Sequence, residues 1–173
     1  MNAPFWTNWK KQITPKAPTK LNHLNASMKP DAPYFVETRN GSGRCVRLQD
    51  GRFHLVRPGP LTNLFYGSDH ILVSESFADS LRDLCAQCLE LQRRELVQIA
   101  TGERFGYYYE VLPYDEITPT NMSSLHVSGC HAWHFGRSHL FVTPTVIEHI
   151  EQRGIGELSY SLGFSRFAVA AKS

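Results

Sequence analysis

The stretch "SDHILVSESFADSLRDL" (residues 68–84) decides the fold, because "GRSHLFVTPTVIEHIEQRG" (residues 136–154) follows the same plan. When the two are shifted by 69 positions, "HILVS" falls on "HLFVT". Each stretch has a short apolar strand, a Ser or Thr at a helix-capping position, and an amphipathic helix. Another strand, "ELVQIA" or "ELSYSL", follows each helix. The pattern predicts two related strand–helix–strand units, residues 68–100 and 137–162.

The two predicted helices differ in their boundary signals. In the first unit, Ser74 is the predicted N-cap, and apolar residues at spacings of three and four predict a helix that runs on through Cys88 and Leu91. In the second unit, Pro144 occupies the first helical position, where its missing N–H costs nothing. Gly154 is the predicted left-handed stop.

The remaining segments predict strands. "YFVET" and "RCVRL" flank the turn signal "RNGSG", and "QDG" leads into "RFHLV", which together predict a three-stranded β-meander. Between the two units, "TGERF" predicts a hairpin turn. We therefore expect a single α+β domain over residues 33–173, with a mixed, largely antiparallel β-sheet and two packed helices.

Residues 1–32 have a different character. They hold five lysines against one aspartate, which leaves 13 basic and 15 acidic side chains for the rest of the chain. "APFWTNWKKQI" has helical apolar spacing and precedes a Pro-containing linker. This leader suits docking onto its own domain, a membrane surface or a partner groove. Because the folded part is slightly acidic, we expect no nucleic-acid partner.

Length and composition narrow the class of protein. The 173 residues suit about one domain, and no apolar run approaches the roughly 18–20 residues of a membrane span. The N-terminus shows no apolar core of a signal peptide. The four cysteines are therefore expected to be reduced thiols, and the expected location is cytoplasmic. The oligomeric state stays open.

The pattern resembles a family of bacterial immunity proteins, the partners of polymorphic secreted toxins (the immunity-eleven type). The family's "VSE-x-F-x-x-x-L" motif is matched by Val73, Ser74, Glu75, Phe77 and Leu81. Its "G-I-x-G" and aromatic strand are represented by Gly154, Ile155, Gly156 and Tyr160, with the second glycine directly after Ile155. The likeness covers roughly residues 34–165. It implies tight binding to a toxin and no catalytic residues.

The segment "CAQC" has the spacing of a zinc or redox pair, Cys85 and Cys88. A structural zinc site needs four ligands, and the other candidates by type are Cys130, His131, His134 and His139. The helical pattern places both cysteines within the first helix, where a cysteine packs as a small hydrophobe. We therefore predict no metal site and no cofactor.

The segment "HVSGCHAWHFGRSH" holds four of the eight histidines. Strand alternation places His131 with Trp133 on one face and His134 on the other, which does not suit a single site. Between Val127 and Ile147 no acidic residue is available to orient them. Half-buried sheet histidines are the favoured interpretation, and chemistry at this segment is the alternative.

Two neighbouring segments predict the partner surface. In "YYYEV", alternation puts Tyr108 on one face of a strand and its neighbours on the other, so at least one tyrosine is exposed. "YDEITPTN" is predicted to be an exposed acidic loop. Exposed tyrosines favour interfaces, and peripheral charges steer association. The predicted toxin contacts are Tyr108, Tyr114, Asp115 and Glu116.

We therefore expect a non-enzymatic immunity protein that neutralises a cognate toxin by forming a stoichiometric complex. One alternative is a small metal-dependent enzyme that uses the Cys/His-rich segment. The other is a nucleic-acid or membrane adaptor that uses the basic aromatic leader.

Overall fold

A computed structural model describes residues 32–39, 41, 43–57 and 59–167. The predicted leader, apart from its last position, lies outside the described residues, so its helix and linker stay predictions. The two helices are α1 (Glu75–Cys85) and α2 (Pro144–Gln152). The strands in chain order are β1 (Tyr34–Thr38), β2 (Arg44–Arg47), β3 (Phe53–Arg57), β4 (Leu64–Tyr66), β5 (Ile71–Val73), β6 (Leu89–Gln98), β7 (Glu103–Pro113), β8 (Asp115–Glu116), β9 (Ala132–Phe135), β10 (His139–Val142) and β11 (Leu158–Leu162).

The strands form two sheets. The first sheet has six strands in the order β2-β3-β6-β7-β5-β4, and the second sheet has five in the order β11-β1-β10-β9-β8. Neighbouring strands are antiparallel except β3 with β6 and β8 with β9. The predicted α+β class, with largely antiparallel strands and two packed helices, is confirmed.

Each helix connects two strands in the same way. Strand β5 leads through α1 to β6, and both strands are antiparallel to β7, which lies between them. Strand β10 leads through α2 to β11, and both are antiparallel to β1. The neighbour order β6-β7-β5-β4 in the first sheet therefore matches β11-β1-β10-β9 in the second. The two strand–helix–strand units share one topology, although their central strands come from different parts of the chain.

The two helices begin at equivalent positions, but the side chains of their N-cap residues form different hydrogen bonds. The Ser74 Oγ accepts a hydrogen bond from the Phe77 N–H at 3.4 Å, as an N-cap does. The Thr143 Oγ1 instead accepts from the His131 N–H at 3.2 Å and donates to the Gly129 carbonyl at 2.8 Å. Thr143 thus holds the loop before β9 rather than the first turn of α2.

The main core joins both helices and both sheets. On α1, Phe77 and Leu81 are fully buried, and on α2 so are Val146, Ile147 and Ile150. These side chains form the predicted apolar stripes. Burying a side chain of this kind stabilises the fold by roughly 1.5–3 kcal/mol. The stripes therefore hold the two units against each other.

The first helix ends earlier than predicted. It stops at Cys85, and the Cys88 N–H donates to the Cys85 carbonyl at 2.9 Å in a turn that leads directly into β6. Leu89 and Leu91 belong to that strand, where alternate residues face the core. The prediction was wrong because an inward-facing strand next to a helix mimics further helical spacing.

The predicted three-stranded meander is also wrong. Strands β2 and β3 form the expected hairpin, but β1 lies in the second sheet between β10 and β11. Its residues Tyr34, Phe35 and Val36 are all buried. A strand without polar alternation suits a central position with both faces covered. The turn signal after β1 therefore marks a crossing between sheets.

The first sheet curls around a second core. Residues of β3, β6 and β7, including Phe53, Leu96 and Tyr108, are buried together on the face away from α1. The edge strand β2 approaches β4, which is the opposite edge. Arg47 on β2 reaches across the curl toward β7 and the β4–β5 turn. The open end of the curl faces the β9–β10 hairpin of the second sheet.

The remaining face of the second sheet is aromatic. Phe35, Trp133 and Phe141 are buried there, and Phe164 and Phe167 from the segment after β11 pack over them. In the described part of the chain, no helix has the length and apolar character needed to cross a membrane.

Candidate functional site

Three of the four predicted toxin contacts lie together on the surface. Tyr114 directly follows β7 and is 63% exposed. Asp115 and Glu116 form β8, the short edge strand of the second sheet, and both are exposed. The segment is thus a two-residue strand rather than the predicted loop. It places an aromatic ring and two carboxylates side by side.

Tyr108 does not belong to this surface. It is 7% exposed, its hydroxyl donates to the Thr62 carbonyl at 3.2 Å, and its ring packs against Phe65 at 5.3 Å between centroids. Burial raises its pKa to about 12. Strand β7 lies between β6 and β5, and β5 pairs with it at Tyr109 and Glu110, directly after Tyr108. The exposed member of the triplet is Tyr107, whose ring lies 3.6 Å from the Arg93 guanidinium carbon.

A surface depression of about 340 Å³ adjoins β8. We call it the acidic groove and define it by Asp115, Glu116, Leu125, His131 and Trp133, which line it. Strand β8 pairs in parallel with β9, which brings the carboxylates next to the Trp133 strand. The groove combines negative charge at its rim with an indole and a leucine in its wall.

The expectation that no carboxylate orients the histidines is wrong for one of them. The His131 Nε2 lies 3.0 Å from the Asp115 Oδ2, and the His131 ring lies 4.4 Å from that of Trp133. The carboxylate comes from β8, which a sequence window around His131 does not contain. The pairing of β8 with β9 supplies it.

The other histidines of this segment lie elsewhere, as strand alternation predicts. His134 is half-buried beside Arg137, and burial, more than that cation, lowers its pKa below the usual 6.5. Burial likewise lowers the pKa of His139, which packs on the aromatic face against Phe35 and Phe167. Among the described residues, no three His, Cys, Asp or Glu side chains are arranged to hold a metal ion.

The cysteine pair lies at the end of α1 and in the turn that follows. Cys85 and Cys88 are buried, and the Cys88 Sγ donates to the Cys85 carbonyl at 3.3 Å. The neighbouring Cys88 thiol, together with burial, raises the pKa of Cys85. Cys130 packs nearby against the same core. The tight turn differs from the predicted mid-helix placement, while the predicted burial is observed.

The sequence did not predict the charged cluster at the open end of the curled sheet. Glu110 on β7 is 1% exposed. It accepts hydrogen bonds from both terminal nitrogens of Arg47, one at 3.0 Å, and from the Arg94 Nε at 3.0 Å. A buried carboxylate needs such partners to offset its lost hydration. Strand alternation could have indicated it, since Glu110 shares the buried face of Tyr108.

A cleft of about 430 Å³ opens beside this cluster. We call it the arginine cleft and define it by six of its lining residues: Arg47, Asp69, His70, Glu110, His134 and Arg137. Tyr114 also lines it, so this tyrosine stands between the cleft and the acidic groove. The cleft and the groove therefore use opposite sides of the β7–β8 connection.

A second Asp–His pair forms one wall of the cleft. The His70 Nδ1 lies 2.9 Å from the Asp69 Oδ1, and the ring of His70 packs 4.7 Å from that of Phe53. His70 is 2% exposed, and this contact lowers the pKa of Asp69. A side chain at Gly67 would place its Cβ 1.8 Å from the imidazole, so only glycine fits under the ring.

Comparison of this chain with protein-family models, curated proteins and solved structures found no match. Inferences about function therefore rest on the residues and on the geometry described above.

Proposed function

We propose that this chain is a non-enzymatic immunity protein that binds a protein toxin stoichiometrically through Tyr114 and the acidic groove. The main support is the juxtaposition of an exposed tyrosine with two exposed carboxylates at a sheet edge. The resemblance of the "VSE-x-F-x-x-x-L" segment to toxin-immunity proteins supports the same role.

The chemistry of this surface suits a partner with a basic face. Tyrosine is enriched at interface centres because it buries a large ring and keeps a hydroxyl for hydrogen bonding. Carboxylates at a rim accelerate encounter with a positive surface and suppress wrong partners. Asp115 and Glu116 would therefore steer the toxin, and Tyr114 would anchor it.

The surface can change without loss of the fold. The Asn121 Nδ2 donates to the backbone carbonyl of Glu116 at 3.0 Å, and β8 pairs with β9 through backbone groups. The side chains of Asp115 and Glu116 project from a backbone that is held independently of their charge. Charge reversal there tests binding without removing a core contact.

The metal-enzyme alternative has less geometric support. His131 lies in the acidic groove, whereas His134 lies in the arginine cleft and His139 on the aromatic face. A single metal would require these imidazoles to converge. The alternative role for the leader concerns residues outside those described.

The proposal is tested by measuring association with candidate toxins encoded in the same genome. We expect Tyr114→Ala to weaken the complex by about 2 kcal/mol or more, the usual loss at an interface anchor. Reversing both charges, Asp115→Lys with Glu116→Lys, should slow association and reduce its salt dependence. Both variants should melt like the unmodified protein.

Matched controls come from the first half of β7, away from the end that leads to Tyr114. Tyr107→Ala removes another exposed tyrosine, and Glu103→Lys reverses another exposed carboxylate. Both should bind the toxin normally. Equal losses for Tyr107→Ala and Tyr114→Ala, or a charge-reversed variant with unchanged association, would argue against this surface.

A further inference from the structure

We propose that the arginine cleft binds a small anion that carries a phosphate or carboxylate group. This site adjoins the proposed toxin surface, because Tyr114 lines the cleft, but the proposal does not depend on toxin binding. Its volume of about 430 Å³ falls in the range of small-molecule sites. Some charged groups of the cleft already have partners, whereas other hydrogen-bond donors remain free.

The carboxylates of the cleft are already engaged. Glu110 accepts from Arg47 and Arg94, and it is shielded from solvent. Asp69 contacts His70 at 2.9 Å and lies 3.8 Å from the Arg47 Nε. These contacts fix the Arg47 guanidinium in the wall, where its position no longer depends on a ligand. Preorganised donors of this kind lower the entropic cost of binding.

Arg137 supplies the cation without a partner. It forms no ion pair with any described residue, although it lines the cleft beside two carboxylates that other groups hold. Two arginines (Arg47 and Arg137) and two carboxylates (Asp69 and Glu110) line the cleft, and Arg94 donates to Glu110 from beside it, so Glu110 is held by two guanidinium groups while Arg137 keeps its donors. A guanidinium suits an oxyanion because its planar donors match two oxygens at once.

The backbone conformation of Arg137 also supports an anion site. This residue has φ of +59° in the turn between β9 and β10, a conformation that glycine or asparagine adopts more readily. The preceding residue is Gly136, so a glycine is tolerated one position away. Local strain of this kind is concentrated at ligand sites.

His134 adds a neutral donor. Its Nδ1 accepts a hydrogen bond from the Arg137 N–H at 3.3 Å. The proton of the neutral imidazole is then on Nε2, and His134 lines the same cleft. The free donors of Arg137 and His134 are thus adjacent along the chain and can converge on one oxyanion.

Binding is tested with the full chain and two probes, inorganic phosphate and succinate, titrated in a calorimeter against chloride of equal ionic strength. We expect saturable binding of one probe and a rise in melting temperature with its concentration. Saturation by phosphate identifies a phosphate-bearing ligand, and saturation by succinate identifies a carboxylate. If neither binds beyond the chloride control, the proposal is wrong.

The informative variant is Arg137→Gly. It removes the guanidinium and relieves the positive φ, so the melting temperature should stay the same or rise. Affinity for the probe should fall about tenfold or more, as expected when a charge-assisted hydrogen-bonding pair is lost. The control Arg104→Ala removes an exposed arginine that pairs with Glu95, and it should bind normally.

Two results would contradict the role of Arg137. One is unchanged probe affinity in Arg137→Gly, and the other is an equal loss in Arg104→Ala, which would indicate a general charge effect. If Arg137→Gly does not fold, Arg137→Asn replaces it, because asparagine also tolerates this conformation. The same two criteria then apply.

Discussion

Two Asp–His pairs among the described residues have nearly equal lengths but very different surroundings. Asp69 meets His70 at 2.9 Å and Asp115 meets His131 at 3.0 Å. The two aspartates are similarly exposed, but the side chain of His70 is 2% exposed and that of His131 is 30% exposed. The first pair therefore gives a hydrogen-bond partner to the Nδ1 of a buried ring, whose Nε2 has none among the described residues, whereas the second pair stays open to solvent. Burial, and not distance, distinguishes the two pairs.

The largest effect should come from the most deeply buried charge. Glu110→Gln leaves Arg47 and Arg94 without their carboxylate, and breaking a buried ion pair in this way typically costs about 3–5 kcal/mol. Urea unfolding monitored by circular dichroism measures the loss. The matched change Glu116→Gln in the acidic groove should stay within about 0.5 kcal/mol. Similar losses of unfolding free energy in the two variants would contradict the conclusion that burial determines the cost.

The two Asp–His pairs should differ by a smaller amount. Asp69→Ala removes the described hydrogen-bond partner of a buried imidazole, which should cost roughly 1–3 kcal/mol. Asp115→Ala removes a partner from an exposed imidazole, which should cost about 0–1 kcal/mol. The same unfolding assay decides between them. A larger loss for Asp115→Ala would show that the groove, and not the cleft, depends on its pair.

The helix caps should give a more modest effect. Ser74→Ala removes a hydrogen bond to the Phe77 N–H and should cost about 1 kcal/mol, with slower refolding only if α1 forms early. Ser128→Ala, at an exposed serine in the loop before β9, is the control. If both variants unfold at the same urea concentration, Ser74 does not act as a cap.

The smallest effect should appear as a pH dependence. Burial lowers the pKa of His134 in the folded state below its ordinary value of 6.5. The unfolded chain therefore binds a proton first, and stability falls as pH decreases below 6.5 through the folded pKa. His134→Gln should flatten the stability profile in that interval. If the free energy of unfolding depends on pH equally in the two proteins, His134 does not cause this pH dependence.

Local signals predicted the helical units well. Ser74, Pro144 and Gly154 act within a few residues, so the helix starts and the second helix stop follow from the chain itself. The end of the first helix was not predicted correctly, because Leu89 and Leu91 face the same core from a strand. The pairing of β1 with β10 and β11 joins distant residues, and a neighbouring turn signal misled the prediction.

The candidate sites were predictable only in part. Exposure of Tyr114, Asp115 and Glu116 follows from polarity and turn signals. The Glu110 cluster depends on the curl of the first sheet, which brings Arg47 from the far edge to β7. Strand register and sheet curvature are not visible in the spacing of the residues.

The most direct test of the proposed role is a titration of toxin activity. The purified chain is mixed at increasing molar ratios with the candidate toxin that binds it, and the residual toxin activity is measured. A protein that acts by occupying the toxin should give a sharp endpoint near one chain per toxin, without added metal or cofactor, and Tyr114→Ala should blunt it. Protection by trace amounts of the chain would mean that it turns something over, which would contradict neutralisation by binding.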